Sequence, residues 1–246
     1  SLVGDLRMWD ARTGQLIDAW TIAELNGGTA FGVFTIGLTP DASLLVAGPQ
    51  LNATTELVWL NPLSGRVLPI PSPSLSRHCF LEFSPDGRHI AQFTRGSVHY
   101  YRTDRPGEEL IPHIDGGSAS FSADGALSAA ATYNGTVHLW KTRDWQPYRV
   151  FVAGTGECGV ALSARGRTVA VGSSDGLTLW HVATGRELYT LPPLPTHQIG
   201  HIRFAPDNRA LAVELRGPPH ARVLVWRIGP GASVRPSGPG AASFVQ

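Results

Sequence analysis

Nine histidines and two cysteines are the residues of this 246-residue chain best suited to metal or nucleophilic chemistry. Their spacing organises neither. The histidines at 78, 89, 99, 113, 138, 181, 197, 201 and 220 never combine with Cys79 and Cys158 in a Cys/His cluster of zinc spacing. Two thiols cannot build a disulfide framework either. No Gly-x-Ser-x-Gly elbow presents a nucleophile, and the acids Asp115, Glu157, Asp175 and Glu214 stand singly on separate segments. The glycine groups Gly27-Gly28, Gly116-Gly117 and Gly154–Gly156 open no helix, so none forms a phosphate cradle, and each is expected to be a turn before a first strand. Asn52-Ala53-Thr54 and Asn134-Gly135-Thr136 match the glycosylation pattern incidentally. No catalytic residue, cofactor or metal is expected, and the protein is expected not to be an enzyme.

The elements that must position any site announce themselves by repetition. An alternating apolar strand ends in an aromatic residue at Leu6–Trp9, Glu56–Trp59, Val98–Tyr101, Val137–Trp140, Leu177–Trp180 and Val223–Trp226. The final aromatics step forward by 50, 42, 39, 40 and 46 residues. A period of roughly 40–45 residues is that of a four-stranded propeller blade. An indole or phenol at one register of every blade would wedge adjacent sheets at a constant spacing, so all six aromatics are expected in blade cores.

A second phrase keeps the same period: Leu38-Thr39-Pro40-Asp41-Ala42, Phe83-Ser84-Pro85-Asp86-Gly87, Phe121-Ser122-Ala123-Asp124-Gly125, Leu162-Ser163-Ala164-Arg165-Gly166 and Phe204-Ala205-Pro206-Asp207-Asn208. Pro presets φ for a tight turn, Asp bonds its own backbone, and Gly or Asn tolerates positive φ. β-rich runs follow each turn at Leu44–Ala47, His89–Phe93, Leu127–Ala131, Thr168–Val171 and Ala210–Leu215, so each turn closes a hairpin. A third recurring turn follows the aromatic, at Arg12-Thr13-Gly14, Leu63-Ser64-Gly65, Arg105-Pro106-Gly107 and Ala183-Thr184-Gly185. The order within a period is strand, turn, strand, loop, aromatic-ended strand, turn, strand. No segment sustains a helical period. The expected fold is all-β: a β-propeller of four-stranded antiparallel blades, with four complete blades and partial blades at both ends. The two cysteines occupy one repeat position, four residues before Phe83 and Leu162, and read as core packing.

The Phe-Ser-Pro-Asp-Gly-type turn interleaved with strands ending in Trp or Trp-Asp resembles the WD-repeat family over Leu2 to about Ile228. Trp9-Asp10 is a true Trp-Asp pair, whereas the other aromatics precede Leu60, Arg102, Lys141, His181 and Arg227. The resemblance implies a hydrogen-bonded set in each blade that joins a His, a Ser or Thr, an Asp and the Trp. Ser173, Asp175 and Trp180 match it, but Ala153-Gly154-Thr155-Gly156 stands where the His belongs. His113, Thr132, Asn134 and Trp140 match with Asn for Asp, and His197 leads the last repeat without a clear Asp partner. A divergent member with looser cross-strand tethering is the expectation.

The repeat array is expected to occupy residues 1–228, with 229–246 a Pro/Gly/Ser-rich flexible tail. The array opens on the third strand of one blade and closes on the third strand of another. The chain therefore reads as a segment of a longer propeller, with further blades or domains in the full-length protein. The competing reading has Ala242–Val245 supply a last strand. Formal charge is +1 with charges spread along the chain, so neither nucleic acid nor a membrane is expected as a partner. No secretory leader precedes the array, and a cytoplasmic location is expected.

What remains is recognition. In the resembled family, partners often dock on the face formed by loops between second and third strands and between blades. Here those loops carry Arg77, His78, Arg95, Tyr133, Glu157, His197, Arg216 and His220, and Arg and Tyr are enriched at binding hot spots. The leading expectation is a non-catalytic scaffold that binds a protein or peptide. Two alternatives stand beside it: a metal-dependent propeller hydrolase or lactonase, and a purely structural segment that completes a larger propeller. The hydrolase needs ligands from first strands, whereas the alignable positions carry Cys79, Cys158 and Ile199; His78, His197 and His220 are the loop histidines placed to converge.

Overall fold

The computed structural model describes residues 5–21, 33–43, 45–49, 58–68, 80–93, 96–156, 159–191, 198–217 and 222–228. The expected tail and both cysteines lie outside these residues. Among them there are 21 β-strands and no helix, and no helix is long and apolar enough to cross a membrane. The strands form six sheets in chain order. The first is two-stranded: β1 (Asp5–Trp9) and β2 (Leu16–Thr21). The second comprises β3 (Val33–Leu38), β4 (Leu45–Pro49), β5 (Val58–Asn61) and β6 (Arg66–Leu68). The third comprises β7 (Phe80–Phe83), β8 (His89–Phe93), β9 (Val98–Arg102) and β10 (Arg105–Glu109). The fourth is β11 (Gly116–Phe121), β12 (Leu127–Thr132), β13 (Thr136–Lys141) and β14 (Gln146–Val152). The fifth is β15 (Gly159–Leu162), β16 (Thr168–Ser173), β17 (Gly176–His181) and β18 (Arg186–Leu191). The sixth is three-stranded: β19 (Gln198–Phe204), β20 (Ala210–Arg216) and β21 (Arg222–Arg227). Four complete blades between two partial ones is the organisation that the repeat phase requires.

The chain divides into two compact units: residues Ser1–Arg95 with His99–Pro112, and Gly96–Val98 with His113–Gln246. In the first, Trp59 is buried against Ile90 and Tyr101, with Leu68, Leu81 and Phe83 around them. In the second, two cores lie on opposite faces of the fifth sheet. Val169 and Val171 of β16 join Val160 and Leu162 against Ala129, Ala131, Val137, Leu139 and Phe151. Ala161 and Ala170 face the other way, onto Ile202, Leu211, Val213 and Trp226. Successive side chains on a strand point to opposite faces, so a central strand buried on both sides reads as a continuous apolar run.

Three strand-level expectations change. Trp59, Tyr101, Trp140 and Trp226 are buried, but Trp9 is 53% exposed. Its strand β1 pairs only with β2 among the described residues, so no second strand flanks it as in the complete blades. Gly116-Gly117, expected in a turn, lies inside β11. A Cβ on Gly116 would fall 2.2 Å from the Ala131 carbonyl oxygen, so only glycine lets the two strands approach this closely. The turn at Arg105-Pro106-Gly107 also shifts: those residues belong to β10. The reversal comes earlier, where the Arg102 guanidinium grips Asp104 at 2.8 and 2.7 Å.

The repeated hairpin turns close as their residue types dictate. In the fourth sheet, Ser122 Oγ donates to Asp124 Oδ1 at 2.7 Å, and the same carboxylate oxygen accepts the Ala126 N–H at 3.1 Å. Gly87, Gly125 and Gly166 sit at φ of 70°, 69° and 60°, and Ala42 and Asn208 adopt the same conformation. In the second unit the turns also bond to one another. The Asp124 N–H donates to the Ala164 carbonyl at 2.9 Å, and the Ala164 N–H donates to Asn208 Oδ1 at 2.6 Å. Three other turns carry Pro at the Ala164 position: Pro40, Pro85 and Pro206. Ala164→Pro is therefore expected to destabilise, because it removes a donor worth about 1 kcal/mol. Ala123→Pro, one sheet earlier, loses no such bond and should gain up to about 0.4–1 kcal/mol from a stiffer unfolded chain. Thermal melts of the two variants should move in opposite directions.

Candidate functional site

Each sheet is an antiparallel meander, so its turns collect at two ends. The hairpin end carries the turns after first and third strands. The loop end carries the connections between second and third strands and between sheets. The second unit shows how the loop end is built. Thr132 closes β12, and its hydroxyl donates to Asn134 Oδ1. The Thr136 N–H returns to Thr132 Oγ1 at 3.0 Å and Asn134 Oδ1 at 3.2 Å. The segment leading to the fifth sheet packs on this turn, with the Ala153 N–H donating to the Gly135 carbonyl at 2.8 Å. The fit is tight: a Cβ on Gly135, whose φ is +81°, would fall 1.5 Å from the Gly154 carbonyl oxygen.

The same segment is gripped from its other side. Asp175 Oδ2 accepts the Thr155 N–H at 2.8 Å and the Thr155 hydroxyl at 3.0 Å. Ser174 Oγ donates to the Thr155 carbonyl at 2.7 Å, and the Asp175 N–H donates to the buried Ser173 Oγ at 3.1 Å. Thr155 thus performs the tether expected of a His, and the cross-strand bonding is tighter here than the sequence pattern implies. The repeat pattern supplies an imidazole here; a hydroxyl with a backbone N–H beside it offers the same carboxylate two donors. Trp180 makes no contribution to the network. Its indole N–H is buried without a hydrogen-bond partner among the described residues, and its ring tilts against Phe151 at 5.5 Å. Asp175→Ala is expected to cost about 1 kcal/mol, and hydrogen exchange at the Thr155 amide should accelerate while amides of β16 keep their protection.

Of the expected surface residues, Tyr133 and Arg216 lie within the described residues. Arg77, His78, Arg95, Glu157, His197 and His220 lie outside them. Tyr133 is half-buried beyond the end of β12, its N–H donating to the Asp115 carbonyl at 3.4 Å. Arg216 ends β20, exposed, with Nη2 2.9 Å from Glu214 Oε2. That oxygen also accepts the His201 N–H at 3.0 Å. Arg216 holds the Glu214 carboxyl below the usual range against the opposing effect of burial. Burial, and then Arg216, push the His201 imidazole down. Gly200 makes the arrangement fit, since a Cβ there would fall 2.5 Å from Glu214 Oε2. Tyr133 and Arg216 belong to the fourth and sixth sheets, with the fifth between them, so they mark two places on one loop end rather than one pocket.

The innermost strands carry different chemistry. Ser118 Oγ accepts the Val160 N–H at 3.1 Å, and Ser120 Oγ accepts the Leu162 N–H at 3.2 Å, joining β11 to β15. Among the described residues no three His, Cys, Asp or Glu side chains group as metal ligands. In the third and fourth sheets, His99 stacks on Tyr101 at 6.2 Å and His138 on Trp140 at 5.8 Å. The repeat register places both imidazoles over the aromatic that ends their strand.

No family model matches the chain. Telomerase protein component 1 of Rattus norvegicus is 28% identical to it over 239 residues, which is 93% of this chain and 8% of that protein. The chain thus spans under a tenth of the length of this curated relative. Among solved structures, the Kuenenia stuttgartiensis hydrazine synthase superposes with a TM-score of 0.63 at 18% identity, covering 85% of this chain and 66% of that one. With the sheet topology, this likeness establishes the fold: the chain is an all-β protein built from the blades of a β-propeller.

Proposed function

We propose that the chain belongs to a WD-repeat propeller that serves as a non-catalytic platform for docking a protein or peptide through its loop end. The observation that carries this reading is the network running from Thr132 and Asn134 through Ala153–Thr155 to Asp175. It fixes the backbone of the connecting loops before any partner arrives, which keeps the ordering cost of binding low. Tyr133 adjoins that framework, Arg216 lies at the loop end of the sixth sheet, and both are residue types that dominate binding energetics. Arg77, His78, Arg95, Glu157, His197 and His220 belong to the same class of loops by sequence position.

The test compares proteins recovered by affinity purification on the wild-type chain and on Tyr133→Ala/Arg216→Ala, quantified by mass spectrometry. A direct partner should bind the double variant at least about tenfold more weakly, since a hot spot contributes about 2 kcal/mol or more. Unchanged recovery of every bound protein would count against the docking surface. Stoichiometric calcium or zinc in the purified protein, with hydrolytic turnover that depends on it, would favour the metal-dependent hydrolase instead.

A further inference from the structure

The hairpin end of the second unit collects positive charge that is dispersed in the sequence. Lys141, Arg165, Arg167, Arg186, Arg209 and Arg227 are all exposed there. Lys141 and Arg227 occupy the position after the aromatic, where the resembled family places Asp. Arg167 and Arg209 follow the repeated hairpin turn directly. The fold brings them side by side. Thr168 pairs with His181, and His181 with Arg186, while Ala210 pairs with Arg227. The turn-to-turn bonds from Asp124 to Ala164 and from Ala164 to Asn208 join the three sheets at this end. Arg149 Nη2 adds a bond at 2.7 Å to the Ala183 carbonyl in the next hairpin turn.

None of these six cations has an ion-pair partner among the described residues. The first unit shows that this is not inherent in the repeat positions. There Arg88 faces Asp86 at 4.0 Å and Arg102 faces Asp104 at 2.7 Å. In the second unit the nearby carboxylates make the same within-segment bonds as Asp86 does with Ser84 and the Arg88 N–H, but none of the six side chains reaches them as an ion pair. Asp124 holds Ser122 and Ala126, Asp207 holds the Arg209 N–H at 2.9 Å, and Glu187 holds Thr190 at 2.6 Å. Neighbouring strands lie about 4.8 Å apart, well inside the Debye length of about 8 Å at physiological salt. Arg209 and Arg227 stand on such neighbouring strands and repel one another, Arg167 and Arg186 stand two strands apart, and an anionic partner would balance this uncompensated charge. Residues 229–246 contain no Asp or Glu and do not supply the charge.

We propose that the hairpin end of the second unit, formed by Lys141, Arg165, Arg167, Arg186, Arg209 and Arg227, docks an acidic segment of a partner protein. Two features favour an acidic peptide over a nucleic-acid strand. Carboxylates are interleaved with the cations, so a chain with spaced charges fits where a phosphate at every step would meet repulsion. Trp140 and Trp145 near this end are buried, and the exposed Tyr148 ring already carries Lys141 Nζ at 5.5 Å from its centroid, which leaves little aromatic surface on which bases can stack. The surface shares no residue with the loop-end site proposed above.

The test measures fluorescence anisotropy of a fluorescein-labelled 12-residue Glu/Ser peptide against the full chain, with a labelled 12-nucleotide oligouridylate as comparator. The peptide is expected to bind more tightly than the RNA, and the affinity to fall as salt is raised. Arg165→Gln/Arg167→Gln/Arg209→Gln should weaken peptide binding by at least about tenfold, with circular dichroism and the melting curve unchanged. Arg88→Gln/Arg102→Gln, at matching repeat positions in the first unit, should leave it within about twofold. Should the triple variant lose its melting transition, Arg167→Gln alone must still weaken binding by about threefold. Peptide affinity unaltered in the folded variant overturns the proposal. So does tighter binding of the RNA that the triple variant abolishes, which would assign the surface to nucleic acid.

Discussion

Trp59→Ala is expected to lower folding stability by about 3–5 kcal/mol, whereas Trp9→Ala should cost under about 0.5 kcal/mol. The two residues hold one repeat position and look interchangeable in sequence. Trp59 is 1% exposed and sits against Ile90 and Tyr101. Truncating it removes a large apolar surface and leaves a cavity among neighbours pinned in strands of two sheets, so collapse recovers little. Trp9 is 53% exposed in a two-stranded sheet, and truncation leaves no hole. Urea unfolding of the two variants is the check. Equal losses would mean that Trp9 is buried in solution against something the described residues do not supply.

Gly135→Ala should be the most damaging single methyl group in the second unit. The φ of +81° at Gly135 alone costs an alanine about 1–3 kcal/mol. The new Cβ would also overlap the Gly154 carbonyl oxygen, a backbone atom held by the bonds on either side of it. Relief requires the Ala153–Thr155 segment to move, which breaks the Ala153–Gly135 bond and strains the Thr155–Asp175 bonds. The variant should melt well below wild type, with faster amide exchange at Ala153 and Thr155. Gly14→Ala is the matching control. Gly14 has a φ of +70° with nothing within 4 Å of a Cβ, so it reports the backbone cost without the clash. A Gly135→Ala variant no worse than Gly14→Ala would show that the loop end yields freely, and would remove the rigidity on which the proposed docking function rests.

Much of the fold was legible because its signals are local. Alternating apolar residues place a strand's faces, and a Pro-Asp-Gly-type turn reverses the chain within five residues, so both survive as sequence patterns. The second strands at His89–Phe93, Leu127–Thr132 and Thr168–Ser173 begin where the turns end. The departures arise where a distant backbone intervenes. Gly116-Gly117 reads as a turn until the Ala131 carbonyl shows why a strand needs glycine there. The candidate site was legible only as a set of loops. Thr155 carries no sequence signal for its role, because that role depends on Asp175, 20 residues away.

The charged surface divides the two levels most clearly. Sequence alone determined the period, the four-stranded meander, the four complete blades and the partial ones, because these follow from side-chain alternation and turn chemistry between near neighbours. It also reported a formal charge of +1 with no basic run. Only the tertiary structure decided which aromatics are buried, what replaces the missing His, and that six cations from three sheets share one end. Those outcomes depend on residues from half a blade to a whole blade apart in sequence, which only the pairing of strands and the stacking of one sheet on the next bring into contact.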